Sequence, residues 1–218
     1  MRNREGLYKT GQTMPSDLKG NSLLAKVRHP TRIHDTMRDL PCSRAIFLDR
    51  DGTIMRDASH VGEVDQVVLI PNAVPSLKRL QDAGYKLFVI TNQSGVGRGY
   101  FTREAVESIH TRLNEQFNQA GVRFERYYVC PHHPEDNCEC RKPKPKFLLD
   151  AAREYGLDLS RSFMIGDRAS DIQAGVNAGA RSILVLTGVG RETLAKGETK
   201  PDHVAHDIAE ATTWILDQ

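Results

Sequence analysis

Two carboxylic acids stand one residue apart in the segment AIFLDRDGTI, residues 45–54. The apolar run 45–48 ends directly at Asp49, and Asp51 follows after a single arginine. Acids held this close repel each other, so one pKa rises and the other falls unless a cation lies between them. One carboxylate can attack as a nucleophile while its neighbour serves as a general acid. A divalent cation would neutralise both acids together with an incoming anion.

A second reactive group lies in CPHHPEDNCECRKPKP, residues 130–145, which holds three of the four cysteines. The spacing C-x-H-x5-C-x-C is formed by Cys130, His132, Cys138 and Cys140. Four soft ligands in so short a segment suit one tetrahedral Zn²⁺ ion and leave no open coordination position. We therefore expect a structural zinc site in the loop 130–140, with His133 as the alternative to His132. Cys42 lies apart and is expected to be a free thiol.

Both groups need elements that hold them in place, and from residue 45 onward apolar strands alternate with amphipathic helices. The pattern predicts strands over 45–49, 86–92, 126–130, 163–167 and 182–187, with a short hairpin arm over 67–70. It predicts helices over 74–84, 102–121, 147–155, 171–178 and 207–216. This alternation indicates an α/β fold with a Rossmann-like, doubly wound, mainly parallel sheet.

Polar side chains follow three of these strands where each one ends. They are Asp49 with Asp51, Thr91 with Asn92, and Asp167. Open α/β sheets bind ligands at the carboxyl ends of their strands. The sequence therefore predicts that these side chains meet at one edge of the sheet and form the reactive site.

Four segments in this order resemble the motifs of the haloacid-dehalogenase-like phosphohydrolases. They are DRDGT (49–53), VITNQS (89–94), RKPKP (141–145) and IGDRASD (165–171). The resemblance covers about residues 44–190. It implies a phosphomonoesterase in which Asp49 attacks phosphorus and forms an aspartyl-phosphate. Asp51 would protonate the leaving oxygen and then deprotonate the water that cleaves the intermediate.

The same resemblance assigns the groups that stabilise charge. Thr91 would hydrogen-bond a phosphoryl oxygen, and Lys142 would offset negative charge on the nucleophile and the phosphoryl group. Asp167 would hold Mg²⁺ together with the carboxylate of Asp49 and the backbone carbonyl of Asp51. For Asp171 we expect a place at a helix N-terminus, with direct contact to the metal as the less favoured alternative.

The cysteine loop directly before RKP narrows the resemblance further. The segments FLDRDGTI, TNQSGVGRG, YYVCPHHP and CECRKPKP are similar to the D-glycero-D-manno-heptose 1,7-bisphosphate phosphatases and the related histidinol-phosphate phosphatases. A small sugar phosphate is the implied substrate, in a site with a minimal cap. The expected substrate contacts are Asp57, His60, Thr91, Asn92, Gln93, Ser94, Arg98, Arg141 and Arg168.

Alternatives remain at this point. The substrate could be histidinol phosphate, another small phosphate ester, or a 3′-phosphate at a nucleic-acid end. A phospho-accepting signalling module or a zinc-stabilised interaction module would also use some of these residues. The sequence departs from the heptose enzymes in its long N-terminal segment 1–41, and in His60, where a tyrosine is common in those enzymes.

Composition limits the partners of this chain of 218 residues, whose net charge is +2. Residues 1–41 carry eight basic and four acidic side chains, so the remaining residues have a net charge of −2. A near-neutral body of this kind argues against a nucleic-acid partner. No apolar run has the length of a membrane span, and the N-terminus lacks the apolar region of a signal peptide. We expect an extended arm over 1–41 and one domain over 42–218, in a cytoplasmic monomer.

Overall fold

The computed structural model of the chain describes residues 42–56 and 67–218. The predicted arm over 1–41 and the expected substrate contacts Asp57 and His60 lie outside these residues. Within the described part, no helix has both the length and the apolar character that a membrane crossing requires.

Six strands of the described chain form one sheet in which every neighbouring pair is parallel. Their bounds are β1 Arg44–Leu48, β2 Tyr85–Asn92, β3 Arg126–Cys130, β4 Phe163–Gly166, β5 Arg181–Val185 and β6 His203–Ala205. Their order across the sheet is β3-β2-β1-β4-β5-β6. The order reverses between β1 and β4, which confirms the doubly wound α/β prediction and places a ligand crevice there.

The helices are α1 Ala73–Asp82, α2 Ser94–Gly97, α3 Arg103–Asn118, α4 Lys146–Tyr155, α5 Ala169–Ala178, α6 Gly190–Lys196 and α7 Ile208–Leu216. Side chains at three-to-four spacing explain α3, which buries Val106, Ile109, Leu113 and Phe117. Thr102 begins this helix, because its side chain accepts a hydrogen bond from the amide of Ala105 at 3.2 Å. The predicted helix is confirmed.

Apolar side chains cover both faces of the sheet, as the unbroken hydrophobic strands require. Along β1, Ile46 and Leu48 point into a core shared with α1, α3 and α7. Ala45 and Phe47 point into a second core shared with α4 and α5. The period-2 alternation of a strand therefore fixes β1 between two layers of helices, and the turn that follows it carries the two acids.

Four elements differ from the prediction. Residues 67–70 do not form a strand, since the predicted arm is reduced to one antiparallel bridge between Leu69 and Met55. Strand β6 and helices α2 and α6 were not predicted. They have three, four and seven residues, which is too short for a hydrophobic period to be recognised.

Candidate active site and metal centre

The carboxyl ends of β1, β2 and β4 bring the predicted polar side chains together. Asp49 follows β1 and is buried, with its amide donating to the carbonyl of Ile165 at 2.9 Å. Asp167 follows β4, and Asp171 lies in the first turn of α5; both are fully buried. Carboxylate oxygens of Asp49, Asp167 and Asp171 all lie within 4.8 Å of one another. Three buried acids at this spacing form a concentrated negative site.

Lys142 supplies the positive charge at the centre of these acids. Its Nζ lies 2.5 Å from Asp49 Oδ1 and 2.7 Å from Asp171 Oδ1, and it donates to the carbonyl of Ile90 at 2.7 Å. Asn92 holds the backbone of this lysine, accepting from its amide at 3.1 Å and donating to its carbonyl at 3.2 Å. The end of β2 therefore fixes where the lysine enters the site.

The charges in this cluster are not balanced. Burial raises the pKa of Asp49 to about 8, and repulsion by the neighbouring acids adds to the shift although Lys142 opposes it. Burial also raises the pKa of Asp167 to about 6. For Lys142 burial disfavours the charged form, but the attraction of Asp171 and Asp49 is stronger and raises its pKa. The Lys142 ammonium pairs with Asp49 and Asp171, so a further cation could neutralise the negative charge that remains in the cluster.

The oxygen atoms present fit such a cation. Asp167 Oδ2 accepts from the amide of Val189 at 2.8 Å, while its buried Oδ1 has no hydrogen-bond partner. Gly52 and Gly188 pack against this carboxylate so closely that a Cβ on either would lie 2.3 or 2.1 Å from Oδ2. Buried carboxylate oxygens are ligands that Mg²⁺ prefers. Asp49 and Asp167 could therefore hold the ion.

Asp171 is occupied differently. Its Oδ2 accepts from the amide of Arg168 at 2.9 Å at the start of α5, and its Oδ1 faces Lys142. Asp171 Oδ1 thus has a charged partner at 2.7 Å, whereas the Arg168 Nε that pairs with Asp167 Oδ1 lies 3.9 Å away. This geometry favours the expected place of Asp171 at a helix N-terminus over direct contact with a metal.

Asp51 lies beside the acid cluster and is held by two other side chains. The guanidinium of Arg50 contacts both of its carboxylate oxygens at 3.0–3.2 Å. Gln93 Nε2 lies 2.8 Å from Asp51 Oδ2 and 2.8 Å from Thr91 Oγ1. The Asp51 side chain is 19% exposed, whereas Thr91 is buried. Asp51 therefore faces the cleft in a fixed orientation.

The cleft above these groups has a volume of about 550 Å³. Seven of the nine expected substrate contacts line it, namely Thr91, Asn92, Gln93, Ser94, Arg98, Arg141 and Arg168. The buried Nη1 of Arg141 has no hydrogen-bond partner there. Tyr100 and Phe101 also line the cleft and were not predicted. The side-chain amides of Asn92 and Gln93 also have contacts within the protein. Asn92 binds the backbone of Lys142, and Gln93 binds the carboxylate of Asp51.

The cysteine loop brings its four predicted ligands to one point. Cys130 Sγ lies 3.5 Å from Cys138 Sγ, and Cys138 Sγ lies 3.7 Å from Cys140 Sγ. His132 Nδ1 lies 3.7 Å from Cys130 Sγ and 3.3 Å from Cys140 Sγ. A tetrahedron with Zn–S bonds of 2.3 Å has S–S edges of about 3.8 Å. The spacing of these atoms fits one zinc ion.

His133 has a different partner. Its Nδ1 accepts from the amide of Glu135 at 3.3 Å, and its own amide donates to Asp136 Oδ2 at 2.8 Å. Both contacts cap the short 3₁₀ helix Pro134–Asp136. This geometry favours His132 over His133 as the nitrogen ligand.

The cysteine loop also contacts the cleft. The amide of Gln93 donates to the carbonyl of Cys130 at 2.7 Å, and that of Gly97 to the carbonyl of Pro131 at 2.8 Å. A Cβ on Gly97 would lie 2.5 Å from the amide nitrogen of His133. The loop therefore supports the turn after β2 on one side and leads directly into Lys142 on the other.

Sequence reasoning missed two side chains behind Asp51. Arg50 is 2% exposed, and its Nη1 lies 3.3 Å from Nε2 of the buried His110 on α3. The available signals were an arginine between two acids and a histidine on the apolar face of a helix. Neither indicates the other, because sixty positions separate them in the chain.

Comparisons with known proteins agree with this geometry. The HAD-hydrolase-like family model matches residues 139–211. A D-glycero-beta-D-manno-heptose-1,7-bisphosphate 7-phosphatase of Helicobacter pylori strain J99 is 44% identical over 146 residues, which cover 66% of this chain and 84% of that protein. The enzyme of the same name from Pasteurella multocida is 38% identical over 178 residues, covering 79% and 96%.

Solved structures show the same similarity. The D,D-heptose 1,7-bisphosphate phosphatase of B. bronchiseptica, complexed with magnesium and phosphate, has a TM-score of 0.76 at 36% identity, over 80% of this chain and 98% of that one. The corresponding phosphatase of Burkholderia thailandensis has a TM-score of 0.63 at 30% identity, over 81% and 100%. This chain belongs to the haloacid-dehalogenase-like phosphatases, in the same family as these heptose bisphosphate phosphatases.

Proposed function

We propose that this protein is a Mg²⁺-dependent phosphomonoesterase that removes the 7-phosphate of D-glycero-D-manno-heptose 1,7-bisphosphate through an aspartyl-phosphate. The observation that carries the proposal is the Asp49 carboxylate beside the Lys142 ammonium at 2.5 Å, with Asp51 facing the same cleft. The relatives at 35–44% identity support the choice of substrate.

In the proposed first step, Asp49 attacks phosphorus in line and the bond to the leaving oxygen breaks. Asp51 gives that oxygen a proton, so the sugar leaves as an alcohol. In the second step Asp51 takes a proton from water, and the water attacks phosphorus and frees Asp49. A single carboxylate thus acts as acid and then as base, and returns to its starting state.

Fixed positive and polar groups stabilise the negative charge that develops on the phosphoryl oxygens. Lys142 reaches the nucleophile, and Thr91 offers its hydroxyl from the end of β2. Asp49 and Asp167, with the backbone carbonyl of Asp51, would hold the metal. Bound Mg²⁺ would neutralise the acid cluster and polarise the phosphoryl oxygens.

Arginines explain the preference for a bisphosphate. Arg98, Arg141 and Arg168 line the cleft outside the acid cluster, and guanidinium groups bind phosphate oxygens in pairs. Histidinol phosphate, the second candidate, carries a protonated amine in place of a second phosphate. That amine would meet three like charges, so the bisphosphate is favoured.

The substrate is tested by measuring phosphate release with Mg²⁺ from heptose 1,7-bisphosphate and histidinol phosphate in parallel. We expect the heptose to be preferred in kcat/KM by about 100-fold, the value of one or two charged hydrogen bonds. Arg141→Met should raise KM for the heptose by about tenfold or more. The control is Arg153→Met, on the outer face of α4, where the arginine is 80% exposed and pairs with Asp150.

Preference for histidinol phosphate would contradict the substrate assignment and leave the chemistry intact. Release from neither compound would limit the proposal to some other phosphate ester. An unchanged KM in Arg141→Met would remove this arginine from the substrate contacts.

We further propose that Cys130, His132, Cys138 and Cys140 hold a structural zinc ion. Removing it should lower the melting temperature by roughly 10 °C, because metal binding and folding of such loops are coupled and a few kcal/mol produces that shift. Cys138→Ser should have the same effect and lose the bound zinc, measured by metal analysis. Cys42→Ser, at an exposed cysteine outside the cluster, is the matched control.

Chelation followed by return of Mg²⁺ alone separates the two metals. If activity and melting temperature then equal those of the untreated protein, the structural zinc is excluded. A zinc site built on cysteines supports the prediction of a cytoplasmic enzyme, because thiols stay reduced in that compartment. We retain the prediction of a monomer that acts on a small molecule.

A further inference from the structure

The side chain of Arg50 is directed away from solvent and toward Asp51. It is 2% exposed, and Nε and Nη2 contact the Asp51 carboxylate from one side at 3.0–3.2 Å. A buried guanidinium is costly unless its charge is paired and its donors are satisfied. Once Asp51 has given its proton to the leaving oxygen, its carboxylate supplies the opposite charge, so the arginine and the carboxylate depend on each other for their positions.

His110 satisfies the opposite edge of the same guanidinium. Arg50 Nη1 lies 3.3 Å from His110 Nε2. Guanidinium groups only donate hydrogen bonds, so Nε2 must accept and the ring proton must sit on Nδ1. Burial, with a smaller contribution from Arg50, lowers the pKa of His110 to about 3, which agrees with a neutral ring.

The histidine is itself fixed by the layer behind it. Its ring stacks on that of Tyr127 with centroids 4.4 Å apart and planes 28° from parallel. The Tyr127 hydroxyl donates to Asn114 Oδ1 at 3.0 Å on the same helix α3. Strand β3 and helix α3 thus hold His110, His110 holds the arginine, and the arginine holds Asp51.

A planar guanidinium bound at two edges has little freedom to rotate, so it sets the orientation of the carboxylate it pairs with. We propose that Arg50 and His110 are positioning residues that aim the Asp51 carboxylate at the leaving oxygen of the substrate. The inference rests on the proposed function, because it assumes that Asp51 transfers the proton.

Leaving groups of different acidity distinguish this role from a merely structural one. An alkoxide is a poor leaving group and needs the proton from Asp51, whereas 4-nitrophenolate leaves without one. A misplaced Asp51 carboxylate should therefore slow departure of the alcohol from an alkyl phosphate much more than departure of nitrophenolate from 4-nitrophenyl phosphate. General loss of structure would slow both alike.

The experiment compares kcat/KM for heptose 1,7-bisphosphate and 4-nitrophenyl phosphate in His110→Phe. This constant covers the steps up to departure of the leaving group, so it excludes hydrolysis of the intermediate, in which Asp51 acts as the base for both substrates. The change keeps a ring for Tyr127 and removes the acceptor for Arg50. We expect kcat/KM for the sugar to fall about tenfold or more, and kcat/KM for the aryl ester to fall less than about threefold. His110→Gln restores an acceptor and should recover most of the loss.

Two further variants complete the series. Arg50→Lys keeps the charge and loses the two-edged geometry, so it should show a larger difference of the same kind. Phe124→Leu is the control, since Phe124 packs on Tyr127 and Phe117 with centroids 5.4 and 5.0 Å away. It should lower the melting temperature and leave the ratio of the two kcat/KM values unchanged.

Equal losses for both substrates in His110→Phe would overturn the positioning role, as would a Phe124→Leu variant with the same change in ratio. No recovery in His110→Gln would also count against it. Failure of the wild type to release phosphate from either compound would instead refute the proposed function.

Discussion

Replacing Asp49 by Asn is expected to reduce phosphate release by at least about 10⁴-fold, because the amide cannot attack phosphorus and no intermediate forms. The substitution keeps the size of the side chain at the end of β1. Initial rates of phosphate release with Mg²⁺, compared at equal protein concentration, measure the effect.

The Asp49→Asn variant should remain folded. In the absence of metal it should be more stable than the wild type at alkaline pH. The pKa of Asp49 is raised from 3.8 to about 8 in the folded chain. The folded state therefore binds the proton more tightly than the unfolded state, and stability is lost as pH rises from about 4 to about 8. Asn does not ionise, so this loss disappears in the variant.

Melting temperatures in EDTA across that pH range test the second point. The matched control is Asp150→Asn, whose carboxylate pairs with Lys146 and Arg153 on the surface of α4. It should keep the wild-type rate. An Asp49→Asn protein with appreciable activity would remove this residue as the nucleophile.

Replacing Lys142 by Met is expected to lower kcat by about 10²–10³-fold, since the positive charge beside the attacking carboxylate is lost. The same change should destabilise the metal-free protein by about 3 kcal/mol, because buried Asp49 and Asp171 lose their shared partner. Rates with Mg²⁺ and denaturant unfolding in EDTA measure the two effects.

Lys144→Met is the control for this experiment. Lys144 lies two residues further along the same loop and pairs with Glu139 at 2.9 Å near the surface. It should change neither quantity appreciably. Wild-type kcat in Lys142→Met would show that the ammonium group does not take part in the reaction. An unchanged free energy of unfolding would show that Asp49 and Asp171 do not need this partner in the metal-free protein.

The strand ends could be predicted from the sequence because local patterns determine them. Apolar runs identify β1, β2 and β4, and the residues that follow each run are Asp49, Thr91–Asn92 and Asp167. Parallel strands place these residues at one edge whatever the loops between them do. The proposed zinc ligands are similarly local, since a short loop brings Cys130 and Cys140 together.

Contacts between distant elements could not be predicted in this way. An amide after a strand has the same sequence signal whether it binds substrate or supports a neighbour, and Gln93 bridges Asp51 and Thr91. Arg50 and His110 meet only because the fold brings α3 to the turn that follows β1, which no period or spacing reveals. Strand β6 has too few residues for any pattern to appear.

The covalent intermediate gives the most direct test of the proposed reaction. Asp51→Asn should still accept the phosphoryl group from 4-nitrophenyl phosphate, whose leaving group needs no proton, and should hydrolyse the intermediate slowly for lack of a base. After acid quenching, mass spectrometry should find one added phosphoryl group, on the peptide that contains Asp49, together with a burst of one nitrophenolate per chain. If the Asp51→Asn protein still releases phosphate but carries no added phosphoryl group, the aspartyl-phosphate mechanism is contradicted and direct attack by water is indicated.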